Sequence, residues 1–211
     1  SGIDSIEVEL AVDRVDYISL FGLAGKTVEL SLWDDALTVQ HWAQTIDLVY
    51  SSALIAQISD WWEYFFGDSD AKTECSAVID ILIPNAVLKL SVIAETGANA
   101  ECGNVVIGRG FEIGEVQYGA RAGILDFSTR ETDDVGRTSL VQGYWSKRNE
   151  VTLRIPNYRV DWVYRLLSQM RGVATAWIGV ENGSYEALIV YGAYREFDIT
   201  VAGPLYSWCQ L

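Results

Sequence analysis

The chain has 211 residues, half of them hydrophobic, and its formal net charge at pH 7 is −14. So large an excess of acidic groups repels phosphate, which argues against nucleic acid as a partner. No stretch of eighteen apolar residues occurs, so the sequence predicts no membrane insertion.

Charge divides the chain into two parts. Residues 1–108 carry 4 Lys/Arg and 17 Asp/Glu, and residues 109–211 carry 11 and 12, so their balances are −13 and −1. Such a change predicts two domains with different surfaces, 1–108 and 109–211.

Short apolar runs separated by Gly, Asn and Asp fill the first domain. The predicted strands are Ile6–Leu10, Val15–Leu20, Thr27–Trp33, Thr45–Tyr50, Ala77–Ile83, Val87–Ala94 and Cys102–Ile107. Their spacing is typical of an all-β sandwich or jelly roll. The apolar pattern of residues 53–66 also fits a helix, but no cap follows it, and we favour strand and loop there.

The second domain contains the best-defined helix, at about residues 158–171. Asn157 follows Pro156 and is predicted to cap the first turn, and Gly172 can take the left-handed conformation that ends the helix. The apolar stripe consists of Val160, Val163, Leu167 and Met170. This spacing places one apolar face against a sheet.

Strands surround this helix. The apolar residues that alternate with polar ones are Val151, Leu153, Ile155, Phe197, Ile199 and Val201. The unbroken apolar run Ala187–Tyr191 predicts a strand covered on both faces. Asn182 and Gly183 lie between Trp177–Val180 and that run, which predicts a hairpin. The second domain is therefore predicted to be a β-domain carrying one helix.

Residue types that support catalysis occur without the spacing that catalysis needs. His41 is the only histidine, and no nucleophile motif adjoins it. Acid pairs such as Asp34-Asp35 and Asp68/Asp70 are expected to be solvated charge in a protein this acidic. The sequence therefore predicts neither an enzyme nor a metal or cofactor site.

The three cysteines lack the Cys-x-x-Cys spacing of zinc and redox sites. Cys75, Cys102 and Cys209 are therefore predicted to be buried free thiols. A bridge between Cys75 and Cys102 stays open if their strands are neighbours.

Two segments suggest binding. Trp61, Trp62 and Tyr64 belong to a run of aromatic residues that could stack on sugar rings, with core packing or an interdomain contact as the alternative. Residues 127–137 form a polar segment of mixed charge, which suits contact between subunits better than contact with a small ligand.

Several blocks of sequence resemble, in the same order, a family of tail proteins from tailed bacteriophages and prophages. The blocks are residues 60–66, 119–128, 131–136, 144–148, 176–179 and 185–192. The resemblance implies a structural virion protein near the distal end of the tail. It implies a galactose-binding-like sandwich in the first domain and a tail-tube or distal-tail-like domain, which assembles into rings, in the second.

We therefore expect a non-enzymatic tail subunit, made in the bacterial cytoplasm, that forms a homo-oligomeric ring or hub with other tail proteins. Its interface residues are expected to be the cations and carboxylates Arg130, Lys147, Arg148, Asp133 and Asp134. Because the chain begins at Ser1 and stops in a strand-like segment, we expect it to be part of a longer one.

Other functions stay open. The main alternative is an adhesin that binds host glycans through Trp61, Trp62 and Tyr64. A glycan-degrading enzyme and a cellular secreted β-sandwich are further possibilities.

Overall fold

The computed structural model describes residues 4–49, 71–81, 83–132, 136–180 and 185–211. These residues are mainly β-strand, in several antiparallel sheets, with one short α-helix. The chain divides into two compact units, residues 1–111 and 112–211, where the charge pattern predicted a boundary after residue 108. The aromatic segment 61–66 and the Asn182-Gly183 pair, which was predicted to form a hairpin, lie outside the described residues.

In its described residues, the first unit consists of two antiparallel sheets. Its strands are β1 (Ser5–Val12), β2 (Tyr17–Ala24), β3 (Thr27–Trp33), β4 (Gln40–Asp47), β5 (Glu74–Val78), β6 (Ala86–Ile93) and β7 (Glu101–Gly108). The strand order is β1-β6-β3-β4 in one sheet and β5-β2-β7 in the other. Leu30, Leu90 and Ile18 come from both sheets and pack in one buried cluster. The first unit is therefore sandwich-like.

Most of the strands predicted in the first unit are confirmed, but three are displaced, among them Val15–Leu20, whose strand β2 runs from Tyr17 to Ala24. The prediction Thr45–Tyr50 was wrong in position, because the strand β4 runs from Gln40 to Asp47. This strand lies at the edge of its sheet, and only Trp42 and Ile46 pack against the core, so it has no apolar run. The prediction Ala77–Ile83 starts three residues after β5 does.

The second unit contains a four-stranded sheet and three strand pairs in its described residues. Its strands are β8 (Glu115–Val116), β9 (Arg121–Asp126), β10 (Thr129–Thr132), β11 (Thr138–Val141), β12 (Trp145–Glu150), β13 (Thr152–Pro156), β14 (Thr175–Ile178), β15 (Ile189–Gly192), β16 (Asp198–Thr200) and β17 (Tyr206–Gln210). The sheet has the order β16-β17-β13-β8, and the pairs are β9-β12, β10-β11 and β14-β15.

The helix α1 (Val160–Gln169) lies on one face of the four-stranded sheet, as predicted. Val163 and Leu167 are completely buried against Leu153, Ile155 and Cys209 of the sheet. Val163 and Leu167 belong to the predicted apolar stripe of the helix, and Leu153 and Ile155 belong to the predicted apolar positions of the strand. A 3-10 turn, Asn157–Arg159, precedes α1, and Gly172 has a φ of +70° beyond its end. None of the described residues forms a helix that is both long and apolar enough for a membrane span.

Asn157 does not cap the helix, so that prediction was wrong. Neither the 3-10 turn nor α1 begins with a side-chain cap. The Asn157 Nδ2 instead donates to the Gly203 carbonyl oxygen at 2.8 Å, and its Oδ1 accepts from the Ser207 hydroxyl at 2.7 Å. The side chain therefore connects the start of the helical segment to β17 and to the loop before it.

The predicted run Ala187–Tyr191 forms a shorter strand than expected. A 3-10 turn occupies Glu186–Leu188, and β15 begins at Ile189. Ala187 and Tyr191 are exposed, so the strand is not covered on both faces. It pairs antiparallel with β14, and the pairing extends to Ile178 opposite Ile189.

The cysteines are free thiols, as predicted. Cys75 and Cys209 are buried, whereas Cys102 is half-buried. Cys75 lies on β5 and Cys102 on β7, and β2 lies between these two strands. Burial, with a smaller effect from the negative charge of Asp198, raises the pKa of Cys209 to about 11.

Asn157→Ser tests the connecting role of this side chain. Serine is as good a helix cap as asparagine, but it is too short to contact both Gly203 and Ser207. The Ser207 side chain is completely buried and would lose its partner, so the free energy of unfolding should fall by about 1–3 kcal/mol in urea titrations. The double variant with Ser207→Ala should recover part of that loss. Unchanged stability in Asn157→Ser would restore the capping interpretation.

Candidate functional site

A two-stranded ribbon spanning residues 121–150 is the candidate site, and we call it the arm. Its base is the pair β9-β12, with Arg121 opposite Glu150 and Asp126 opposite Trp145. Its outer half is the pair β10-β11. Every residue of β9, β10 and β11 is exposed. The segment 127–137, expected to be a polar loop, thus contributes a strand to this ribbon.

Large apolar side chains are exposed along both strands of the arm. The exposed fractions are 63% for Ile124, 42% for Leu125, 62% for Phe127, 72% for Leu140, 58% for Val141, 91% for Tyr144 and 58% for Trp145. Successive residues of a strand point to opposite faces, so Ile124 and Leu125 present apolar surface on both sides of the ribbon. Apolar side chains exposed on both faces of a ribbon make it a candidate site of protein contact.

A short chain of hydrogen bonds joins the two halves of the arm. The Gly143 N–H donates to the Ser128 hydroxyl oxygen at 3.0 Å, and that hydroxyl donates to Asp126 Oδ1 at 2.6 Å. The Phe127 N–H also donates to the Tyr144 carbonyl oxygen at 2.9 Å. The bonds from the Ser128 hydroxyl and then from its N–H lower the pKa of Asp126. This stabilisation is therefore present above the ordinary pKa and is lost as the pH falls through the lowered one.

The cations predicted to form the interface lie on the arm, but they are not equivalent. Arg130 is exposed on β10, opposite Leu140, and makes no ion pair within the described residues. Arg148 forms an ion pair with Glu150 of its own strand. Lys147 Nζ donates to the Glu186 carbonyl oxygen at 3.4 Å. Of these three cations, Arg130 is therefore the one whose side chain has no partner among the residues that the structure describes.

The other predicted site residues fall outside the described ranges. The carboxylates Asp133 and Asp134 belong to residues 133–135, and the aromatic residues Trp61, Trp62 and Tyr64 belong to residues 50–70. Their roles in an interface and in glycan binding stay predictions.

Of the residues considered for catalysis, His41 and Asp34 lie in ordinary surroundings, whereas Asp68 and Asp70 lie outside the described residues. His41 is exposed on the edge strand β4. The Asp34 carboxylate accepts bonds from the hydroxyl and N–H of Thr38 and from the Val39 N–H, which lower its pKa and hold the turn before β4. Within the ranges that the structure describes, no three His, Cys, Asp or Glu side chains are grouped so that they could hold a metal ion.

The apolar residues of the arm were missed in the sequence, although a signal was present. Ile124-Leu125 and Leu140-Val141 are adjacent apolar pairs in segments too short for a buried helix. In a strand, one member of each pair must face away from the other. Such a pair therefore requires either that both faces of the strand are covered or that one of the two side chains is exposed.

Comparison with known protein families, with curated proteins and with solved structures finds no match for this chain.

Gly143→Ala should open the joint between the two halves of the arm. A Cβ at this position would lie 2.4 Å from the Phe127 carbonyl oxygen, a backbone atom that cannot move without breaking the pairing. We expect hydrogen exchange of the β10 and β11 amides to accelerate by about tenfold or more. Gly123→Ala is the matched control on the same ribbon, because a Cβ there would lie 4.0 Å from its nearest neighbour, the Arg148 carbonyl oxygen. Equal exchange in the two variants would contradict this role of Gly143.

Proposed function

We propose that this protein is a structural subunit of a bacteriophage tail and that copies assemble into a ring or hub through the arm. The observation that carries the assembly is the exposed apolar ribbon. The assignment to a tail is supported by the ordered blocks of sequence that resemble that family, and it includes contacts with other tail proteins.

The energy available from the arm is of the size that association needs. Burying a Leu, Ile or Phe side chain contributes roughly 1.5–3 kcal/mol. The seven large apolar side chains of the arm are only partly exposed, so each gains less than a full burial. Covering all seven supplies on the order of 10 kcal/mol. The loss of free motion on association costs about 4–15 kcal/mol. Assembly through the arm is therefore expected to depend on protein concentration.

Charge explains why contact would occur at the arm. Copies that each carry −14 repel one another as whole molecules. The basic residues in 121–150 are Arg121, Arg130, Arg137, Lys147 and Arg148, and the acidic ones are Asp126, Glu131, Asp133, Asp134 and Glu150. The arm is thus neutral overall, which removes most of the repulsion where two copies meet.

The finer fold assignments form part of the same proposal. The two sheets around one core in the first unit are compatible with a galactose-binding-like or jelly-roll sandwich. The sheet with one helix and a projecting ribbon in the second unit is compatible with the ring-forming domain of tail-tube and distal-tail proteins. In this proposal the acidic first unit decorates the ring.

Apolar contacts of the arm are tested by matched substitutions. Leu140→Ser and Tyr144→Ser should lower the sedimentation coefficient at a concentration at which the parent chain associates, because both remove apolar surface from the interface. The controls are Leu205→Ser and Tyr158→Ser, which change side chains of the same type and of similar exposure, 69% and 85%, outside the arm. If both pairs behave alike, the arm is not the contact surface.

Charge reversal at Arg130 tests electrostatic complementarity. Arg130→Glu should weaken association in low salt by about tenfold or less, and the difference should shrink as salt is added, because exposed ion pairs are screened. Lys147→Glu with Arg148→Glu should also block assembly while the monomer stays folded by circular dichroism. An effect of Arg130→Glu that is the same at all salt concentrations would reject an ionic role.

The location is tested on purified particles. Antibodies against this chain, detected by gold labelling in electron microscopy, should mark one end of the tail. Absence of the chain from particles that infect normally would overturn the assignment to a virion.

A further inference from the structure

The four-stranded sheet of the second unit has a second face, opposite α1. Leu153 and Cys209 point to the helix, so their neighbours along the strands point away from it. The register forms two rows across this face. One row contains Gln117, Thr152, Gln210 and Asp198, and the other contains Glu115, Arg154, Trp208 and Thr200.

A shallow depression of about 470 Å³ lies on this face. Its lining residues are Gln117, Tyr118, Thr152, Thr200, Trp208 and Gln210. The depression is open to solvent, so a ligand would lie across it and not inside a cavity. The lining combines aromatic rings with amides and hydroxyls.

Several polar groups of this depression lack protein partners in the described part of the chain, although the Gln117 Nε2 donates to the Glu115 carbonyl oxygen at 3.5 Å. The side chains of Thr152, Thr200 and Gln210, and the indole N–H of Trp208, make no hydrogen bond there. Trp208 is 36% exposed, although its neighbours Ser207 and Cys209 are completely buried. An indole face beside free amide and hydroxyl groups matches a ligand that has apolar C–H faces and many hydroxyls, which is a sugar ring.

The charges around the depression select a neutral ligand. Arg154 is occupied, because its guanidinium lies 2.5 Å from Glu115 Oε2 and 4.6 Å from the centre of the Tyr206 ring. Asp198 lies opposite Gln210 and repels an acidic group. Arg154 is the single cation in the two rows described above, so the rows offer no other cation to a carboxylate or phosphate.

We propose that this face of the second unit binds a neutral saccharide, with the Trp208 indole stacked on a sugar ring and the amides of Gln117 and Gln210 bound to its hydroxyls. Thr152 and Thr200 supply further hydroxyl partners at the two sides. This site is distinct from the arm and lies in a different unit from Trp61, Trp62 and Tyr64.

The test uses saturation-transfer NMR on the full chain with four neutral disaccharides: lactose, maltose, mannobiose and chitobiose. The acidic trisaccharide 3′-sialyllactose is the charged comparison. We expect at least one neutral sugar to bind with a dissociation constant of about 0.1–10 mM, and Trp208→Ala to weaken that binding by about tenfold or more. Tyr158→Ala, which removes another exposed aromatic ring of the same unit, should leave it unchanged.

A second variant keeps the test decisive if Trp208→Ala fails to fold. Gln210→Ala removes an exposed side chain without hydrogen bonds, so it should fold normally and still lose several-fold in sugar binding. Neither variant should change the sedimentation of the assembly, which separates this proposal from the role of the arm.

Four results would overturn the proposal in whole or in part. The first is that none of the neutral sugars binds at about 10 mM, and the second is that both variants bind as the parent chain does. The third is a change in sedimentation in Trp208→Ala, which would identify this face as a contact between copies. Stronger binding of sialyllactose than of lactose would overturn the assignment of a neutral ligand.

Discussion

A ribbon of two strands has two faces and no interior, so it cannot bury its own apolar side chains. This constraint governs the second unit. The four-stranded sheet solves it by placing α1 over Leu153, Ile155 and Cys209, which gives those residues a core. The arm carries apolar residues on strands of the same kind without such cover. The proposed assembly follows from this difference between the sheet, which the helix covers, and the arm, which it does not cover.

The two proposed surfaces of the second unit complement each other energetically. Sugar contacts at a shallow site such as that of Trp208 are weak individually. When copies are held in one assembly, each bound sugar raises the effective concentration of the next, and the combined affinity can exceed the single affinity by about 10²–10⁴. Self-association through the arm and weak saccharide binding on the sheet would therefore support each other without any contact between the two sites.

Periodic patterns of burial were predicted correctly from the sequence, whereas the unbroken apolar run Ala187–Tyr191 and the patterns that reflect exposure were not. Val163 and Leu167 were identified because a helix over a sheet repeats its apolar positions at fixed steps. The edge strand β4 was displaced because an edge needs few inward residues. The Asn157 side chain was predicted to cap the adjacent first turn of the helix. Its actual partners, Gly203 and Ser207, lie about fifty positions further along the chain. Contacts between distant residues leave no local signal.

The arrangement of the thiols has a consequence for where the fold can exist. Because β2 separates β5 from β7, Cys75 and Cys102 lie on strands that are not neighbours, and the described core is formed without a covalent link. The first unit should consequently reach the same structure in the reducing interior of a cell and in the oxidising medium outside it. As the proposed component of a particle, the chain would pass from one to the other without any redox chemistry.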